Sequence, residues 1–330
     1  MLIDTRPPTR NLALDLVRVT EAAALSAGRF VGRGNKVGAD KAAVDAMRII
    51  LNTVPMNGVV VIGEGEKDEA PMLFNGEFCG NGSAPELDIA VDPIDGTRPV
   101  ANGMPNAIST VALAPRGTMF NPGPFLYMYK IAVGREAKDV IDIEAPVADN
   151  LKKIAKAKGE DVNDLTVVIL DRPRHEKLVA EVREAGARIR FIEDGDVAGA
   201  LMAALPETGI DVLLGIGGSP EAVLASAGLI CLDGNIQCKL IARKPEDLVN
   251  GKALGYKVDK VLMMNDLISS EDVFFAATGI TTGDLLEGVH YFADYAHTDS
   301  LVMRGLTGTS RRIKATHRMN KLSEISVIPY

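Results

Sequence analysis

The stretch Leu87-Asp88-Ile89-Ala90-Val91-Asp92-Pro93-Ile94-Asp95-Gly96-Thr97 decides the fold. It opens as the short apolar run that a buried strand needs, then stops at two carboxylates three residues apart. Asp, Pro, Asp and Gly are also what an ordinary tight turn asks for, so this segment alone leaves a plain turn open. A second run, Val59-Val60-Val61-Ile62, stops at Gly63-Glu64-Gly65-Glu66 and repeats the arrangement. Hard oxygen ligands on rigid strand ends are what Mg²⁺ or Mn²⁺ sites require.

Upstream, Leu12, Leu16, Val19 and Ala23 keep one helical face, and Val44, Met47, Leu51 and Val54 keep another. Gly32-Arg33-Gly34-Asn35-Lys36 interrupts between them. Asp40 stands just before the expected helix of residues 41–52, where Asp makes an ordinary N-cap. Downstream, strand-like runs at residues 107–113 and 127–133 have no helix between them, which predicts mixed or antiparallel pairing.

From about Pro146 strand and helix alternate, beginning with a helix through Leu151 and Ile154 that stops at Gly159. Strands at residues 166–170, 189–192 and 212–216 then lead into helices. Their connecting loops are Asp171-Arg172-Pro173-Arg174-His175, Glu193-Asp194-Gly195-Asp196 and Gly217-Gly218-Ser219-Pro220-Glu221. Ligands of open α/β sheets lie beyond the carboxyl ends of the strands. Three strand ends therefore offer Arg and His, Asp, and a Gly-rich loop to one crevice. Glu221 also has a plain reading, because an acid in a first helical turn complements the helix dipole. Residues 244–260 read as a polar connector, 261–264 and 273–277 as strands, and 311–317 as a closing basic strand. The expected fold class is α/β, with a mixed α+β half at residues 1–145 and an α/β half at residues 146–330.

Composition narrows the function classes. With 330 residues, 47% of them hydrophobic, the chain can bury a large core. A net charge of −8 argues against nucleic acid as a partner, because such binding needs a basic surface. No apolar stretch reaches the ~18 residues of a membrane span, and the first residues hold no apolar leader core; a cytoplasmic protein is expected. Cys79, Cys231 and Cys238 are too few and too far apart for a disulfide framework or a CxxC zinc site. They read as buried thiols.

Together these motifs resemble the lithium-sensitive, metal-dependent phosphatase superfamily, whose hallmark is similar to Asp92-Pro93-Ile94-Asp95-Gly96-Thr97. Within it the chain is similar to class II fructose-1,6-bisphosphatases. The resemblance extends over Arg18-Val19-Thr20-Glu21, Gly32-Arg33-Gly34, residues 61–73, Arg174-His175, residues 194–198, Gly215-Ile216-Gly217-Gly218 and residues 277–281, nearly the whole chain. It implies a layered αβαβα sugar-phosphatase fold, and Mn²⁺ or Mg²⁺ held by Asp40, Glu64, Asp92, Asp95 and Glu221. It implies sugar-bisphosphate contacts from Asp95, Gly96, Thr97, Tyr127, Arg172, Arg174, Asp194, Gly195, Asp196 and Gly218. Thr97, Lys36, Asp92 and Asp95 fall at catalytic positions. The partner implied is a small-molecule sugar bisphosphate, and self-association into a dimer or tetramer is expected.

Two departures bear on chemistry. Asp95 stands where many class II enzymes carry Glu, shortening the arm by one methylene and leaving Mn²⁺ against Mg²⁺ open. The connector at residues 244–260 is shorter than expected, which bears on subunit contacts. The chain has no Trp, and so lacks the Trp-Asp signature of inositol monophosphatase types.

The reaction implied is hydrolysis of the 1-phosphate of fructose 1,6-bisphosphate by a metal-activated water, with Arg172 and Arg174 clamping the distal phosphate. Sedoheptulose 1,7-bisphosphate is an alternative or additional substrate, and another superfamily phosphatase a further alternative. A dinucleotide-binding oxidoreductase would use Gly215-Ile216-Gly217-Gly218 as a phosphate cradle. That reading fails on Pro220 at the third glycine position and on the lack of a ribose-binding acid about 20 residues on.

Overall fold

The structure, a computed structural model, describes residues 10–64, 73–328 and 330. Helices Ala13–Gly28 (α1) and Lys36–Leu51 (α2) come first, followed by strands Asn57–Ile62 (β1), Phe78–Cys79 (β2) and Glu86–Asp95 (β3). A short helix, Thr97–Asn102 (α3), separates β3 from strands Ile108–Pro115 (β4) and Tyr127–Val133 (β5). The alternating region runs Val147–Lys158 (α4), Thr166–Leu170 (β6), Glu176–Ala185 (α5), Arg188–Ile192 (β7), Asp196–Met202 (α6), Val212–Gly218 (β8), Ser219–Cys231 (α7) and Asn235–Ile241 (β9). Pro245–Ala253 (α8), Leu262–Met263 (β10) and Met264–Leu267 (α9) precede strands Phe274–Gly279 (β11), His290–Tyr291 (β12), Tyr295–Arg304 (β13) and Thr309–Arg318 (β14), and Met319–Ile325 (α10) follows.

These elements stack as αβαβα. An eight-stranded sheet has the order β12-β13-β11-β4-β3-β1-β2, with β14 on the outer side of β13. A six-stranded sheet has the order β10-β9-β5-β8-β6-β7. α1 and α2 cover the outer face of the first sheet, α6 and α7 fill the space between the sheets, and α4 and α5 flank the second. α7 is apolar nearly all round, with Ala222, Val223, Leu224, Ala225, Ala227 and Leu229 all buried, as a helix packed on two sides must be.

The sheets do not divide the chain at residue 146. β5 lies upstream of that point yet sits between β8 and β9 in the second sheet. Residues 274–318 return to the first sheet, where β11 pairs with β4. Antiparallel pairing needs no local crossover, so strands remote in sequence can close either sheet.

Two local expectations are corrected. α2 begins at Lys36, because the Asn35 side chain accepts from the Gly38 N–H at 2.9 Å and caps the helix five residues earlier than Asp40 would. Asp40 therefore lies inside α2, one turn beyond Lys36 and on the same face. The connector at residues 244–260 contains α8, whose first turn is closed by Asp247 accepting from the Arg243 and Lys244 N–H groups. The three cysteines are buried free thiols. Among the described residues no helix is long and apolar enough to cross a membrane.

Candidate active site

β3 carries the Asp92-Pro93-Ile94-Asp95 motif inside its last turns rather than beyond its end. Side chains alternate along a strand, so residues three apart should face opposite sides. Here Asp92 pairs with Thr110 and Asp95 with Ile108, which leaves one extra residue on β3. That bulge reverses the alternation and lets both carboxylates join one cluster. Pro93 suits the bulge because it has no N–H to offer a ladder. The Asp92 carboxylate accepts from the Ile94 N–H at 3.1 Å, tightening the bend. Gly96 follows at φ 107°, where a side chain would be strained, and swings the chain into α3 with Thr97 as its first residue.

Around this corner the other carboxylates gather. Glu64 follows β1, the parallel neighbour of β3, and its N–H is held by the Leu73 carbonyl at 2.9 Å. Asp40 approaches from α2 and accepts from the Thr97 hydroxyl at 3.0 Å. Glu221 comes from the first turn of α7, under Gly218, where a Cβ would lie 1.8 Å from the Glu221 Oε2. Asp95 reaches the helical layer between the sheets, accepting from the Ala198 N–H of α6 at 3.2 Å.

The cluster is electrostatically strained. Glu64 is pushed up to about 7 by burial and then by Asp40 and Glu221. Asp92 is raised well above the usual range by burial, then by Asp95, Glu64 and Glu221. Asp95 is raised likewise by burial, then by Asp196 and Glu221. Burial and Asp196 also raise Glu221, while Lys130 opposes them. Buried like charges disfavour one another's ionised forms, so these groups await a positive charge.

The second sheet supplies a cavity of about 280 Å³ lined by Tyr127, Arg172, Arg174, Asp194, Asp196 and Glu221, with Gly195 and Gly218 in its wall. Arg172 donates to Asp194 at 3.0 Å. Arg174 donates from Nε and Nη2 to the Ile216 carbonyl, and its guanidinium carbon sits 5.3 Å from the Tyr127 ring centre. Asp196 pairs with the buried Lys130 through Oδ2 at 2.6 Å, whereas its Oδ1 and the Glu221 Oε2 are buried without a partner among the described residues. Orphaned buried acceptors are costly and mark where a donor or a cation is to come.

His175, next to Arg174, is a strap rather than a base. Its Nδ1 faces the Leu170 carbonyl at 2.7 Å and its Nε2 faces the Ile216 N–H at 2.7 Å. A carbonyl only accepts and an N–H only donates, so the ring is neutral with its proton on Nδ1. It ties the ends of β6 and β8 together. Burial lowers its pKa, keeping that form.

The profile of a family described as bacterial fructose-1,6-bisphosphatase, glpX-encoded, matches residues 10–317 of the chain. The chain belongs to this family. It is 45% identical over 325 residues to Fructose-1,6-bisphosphatase 1 class 2 of Escherichia coli K12, covering 94% of this chain and 96% of that protein. Fructose-1,6-bisphosphatase class 2 of Shigella flexneri matches to the same extent.

Every residue expected at the site of such a bisphosphatase lies among the described residues. Lys36 is exposed at the start of α2 and its charge reaches Asp40. Glu66, in the second carboxylate motif, lies outside the described residues. Among the described residues, no three His, Cys, Asp or Glu side chains already converge closely enough to hold one ion. The donor chemistry nonetheless fits a hard divalent cation: all five candidates are carboxylates, Glu221 has an unpartnered buried oxygen, and the cluster resists carrying its own charge.

Sequence reasoning missed two residues. Lys130, buried to 1% exposure, holds Asp196 from the middle of β5, where a Lys reads as solvent-facing. Arg243 follows β9, a strand not singled out, although Ile236-Gln237-Cys238-Lys239-Leu240-Ile241 before Ala242-Arg243-Lys244-Pro245 carries the strand-then-turn signal.

Proposed function

We propose that the chain hydrolyses the 1-phosphate of fructose 1,6-bisphosphate, giving fructose 6-phosphate and inorganic phosphate. The observation that carries this reading is the meeting of two unlike walls: strained carboxylates from the first sheet and guanidinium groups from the second. A substrate with two phosphates can engage both at once.

Asp40, Glu64, Asp92, Asp95 and Glu221 would hold Mn²⁺ or Mg²⁺, which supplies charge neutralisation for a phosphate ester and lowers the pKa of water. The chain's own residues set geometry and protons. The Thr97 hydroxyl gives its one hydrogen to Asp40, so its lone pairs face outward and accept from a water. That water's oxygen is thereby aimed at phosphorus in line with the bond to the sugar oxygen on C1. As the water oxygen bonds to phosphorus and the P–O bond to C1 breaks, a proton given up by that water passes to the sugar oxygen, which leaves as the hydroxyl of fructose 6-phosphate. Lys36, one turn from Asp40, steadies the charge at that pair.

At the other wall, Arg174 and Arg172 engage the phosphate that stays on the sugar. Tyr127 forms the apolar side, and the unpartnered Oδ1 of Asp196, with Asp194, accepts from sugar hydroxyls. Lys130, bonded to Asp196 Oδ2 at 2.6 Å, holds that carboxylate in orientation. The bare Gly195 and Gly218 backbones leave room for the Asp95 and Glu221 carboxylates beside the cavity. Self-association and a cytoplasmic location remain part of the same reading, and sedimentation of the purified chain tests the first.

Phosphate release measured from fructose 1,6-bisphosphate, sedoheptulose 1,7-bisphosphate and inositol monophosphate, with Mg²⁺ and with Mn²⁺, tests the assignment. The reading expects turnover of fructose 1,6-bisphosphate and little of inositol monophosphate. Preference for inositol monophosphate would overturn it.

A further inference from the structure

A fourth strand of the second sheet, β9, ends next to Tyr127, a residue of the cavity wall. β9 runs antiparallel to β5 with Ile241 directly opposite Tyr127, while Gly218 faces Tyr127 from the other side. The chain therefore leaves β9 beside the Tyr127 ring. Asp247 accepts from the Arg243 and Lys244 N–H groups at 2.9 and 3.1 Å, which fixes the backbone from which the Arg243 side chain springs. The Arg243 guanidinium carbon lies 5.6 Å from the Tyr127 ring centre, and that of Arg174 lies 5.3 Å from the same ring.

The three arginines are committed to different degrees. Arg172 places its charge on Asp194. Arg174 spends two N–H groups on the neutral Ile216 carbonyl and keeps its charge. Arg243 is exposed, and no carboxylate among the described residues pairs with its guanidinium. A phosphomonoester carries about −1.5 to −2 charge at neutral pH, more than the single unpaired guanidinium of Arg174 offsets. A contact to a ring face at an exposed site is weak, and a guanidinium gives it up readily for charge-assisted bonds to phosphate oxygens.

We propose that Arg243 is a further substrate-binding residue, moving from the Tyr127 ring to the phosphate that is not hydrolysed and holding it together with Arg174. This deepens the bisphosphatase reading and rests on it for the identity of the substrate. The Tyr127 ring serves as the resting place of two cations, so the site is preset for a dianion before one arrives.

The test uses the full chain with Arg243→Ala and Arg243→Lys. For Arg243→Ala, KM for fructose 1,6-bisphosphate rises about 10-fold to 100-fold, while kcat stays within about twofold. KM for fructose 1-phosphate, which has no distal phosphate, stays at the wild-type value. Arg243→Lys recovers part of the loss, keeping the charge without the fork. Calorimetric affinity for fructose 6-phosphate falls in parallel with the rise in KM. Unchanged fructose 6-phosphate affinity in Arg243→Ala, or an equal loss on fructose 1-phosphate, overturns the proposal. If the wild-type chain released no phosphate from fructose 1,6-bisphosphate, the bisphosphatase reading would fail. The calorimetric comparison would still decide the role of Arg243.

Discussion

Replacing Glu64 by Gln separates the electrostatic strain of the carboxylate cluster from its function, because the two respond with opposite sign. Burial, Asp40 and Glu221 raise Glu64 from the ordinary 4.5 to about 7. At about 1.36 kcal/mol per pH unit, that rise is worth about 3 kcal/mol. The folded chain holds this proton more tightly than the unfolded chain, so stability is fully present below pH 4.5 and is lost as pH rises through about 7. Gln carries no charge to be penalised. In chelator, Glu64→Gln should therefore match the wild type near pH 4 and exceed it by up to about 3 kcal/mol near pH 8. With about 2.1 cal/mol/K of unfolding entropy per residue, a chain of this length gains about 4 °C in Tm. Thermal unfolding of both proteins in chelator at the two pH values is the assay. The same variant should lose phosphate release and its stabilisation by Mn²⁺. A Glu64→Gln protein that is equal to or less stable than wild type near pH 8 refutes the strained cluster.

Thr97→Ala should lower kcat and kcat/KM alike by about 10²-fold with little change in Tm, and Thr97→Ser should restore much of the rate; an Ala variant that is less stable but fully active would exclude the water-orienting role. Arg174→Ala should chiefly raise KM, by the loss of about 1.5–3 kcal/mol of charge-assisted bonding, and an equal loss on fructose 1-phosphate would contradict the two-wall geometry. Gly218→Ala puts a methyl 1.8 Å from the Glu221 Oε2 and should displace that carboxylate, cutting kcat by about 10²-fold; unchanged kinetics would show that Glu221 is not needed where it stands.

The sequence carried the strand ends and their residue types, because apolar runs broken by Asp, Glu or Gly are local signals. It did not carry the bulge between Asp92 and Asp95. Whether two carboxylates three apart face one side depends on the register of β3 against β4, and Thr110 and Ile108 are remote partners. The same limit hid the return of residues 274–318 to the first sheet. At Asp40, two cap-competent residues compete within one segment, and the Asn35 side chain wins by reaching the Gly38 N–H. That choice winds Asp40 into α2 and aims it at Thr97. Lys130 was invisible for a different reason: only a buried carboxylate such as Asp196 can hold a Lys inside a sheet, and the two are 66 residues apart. Arg243 follows a strand whose Gln237 and Lys239 mask its burial, although Gln237 is itself buried and bonded to the Ile141 carbonyl.

The most direct test of the account is the identity of the product released from fructose 1,6-bisphosphate by the full chain, with Mn²⁺ present and again after chelation. The account predicts fructose 6-phosphate as the sugar product, no release in chelator, and recovery when Mn²⁺ is returned. Fructose 1-phosphate as the product, or release that persists undiminished in chelator, would contradict it.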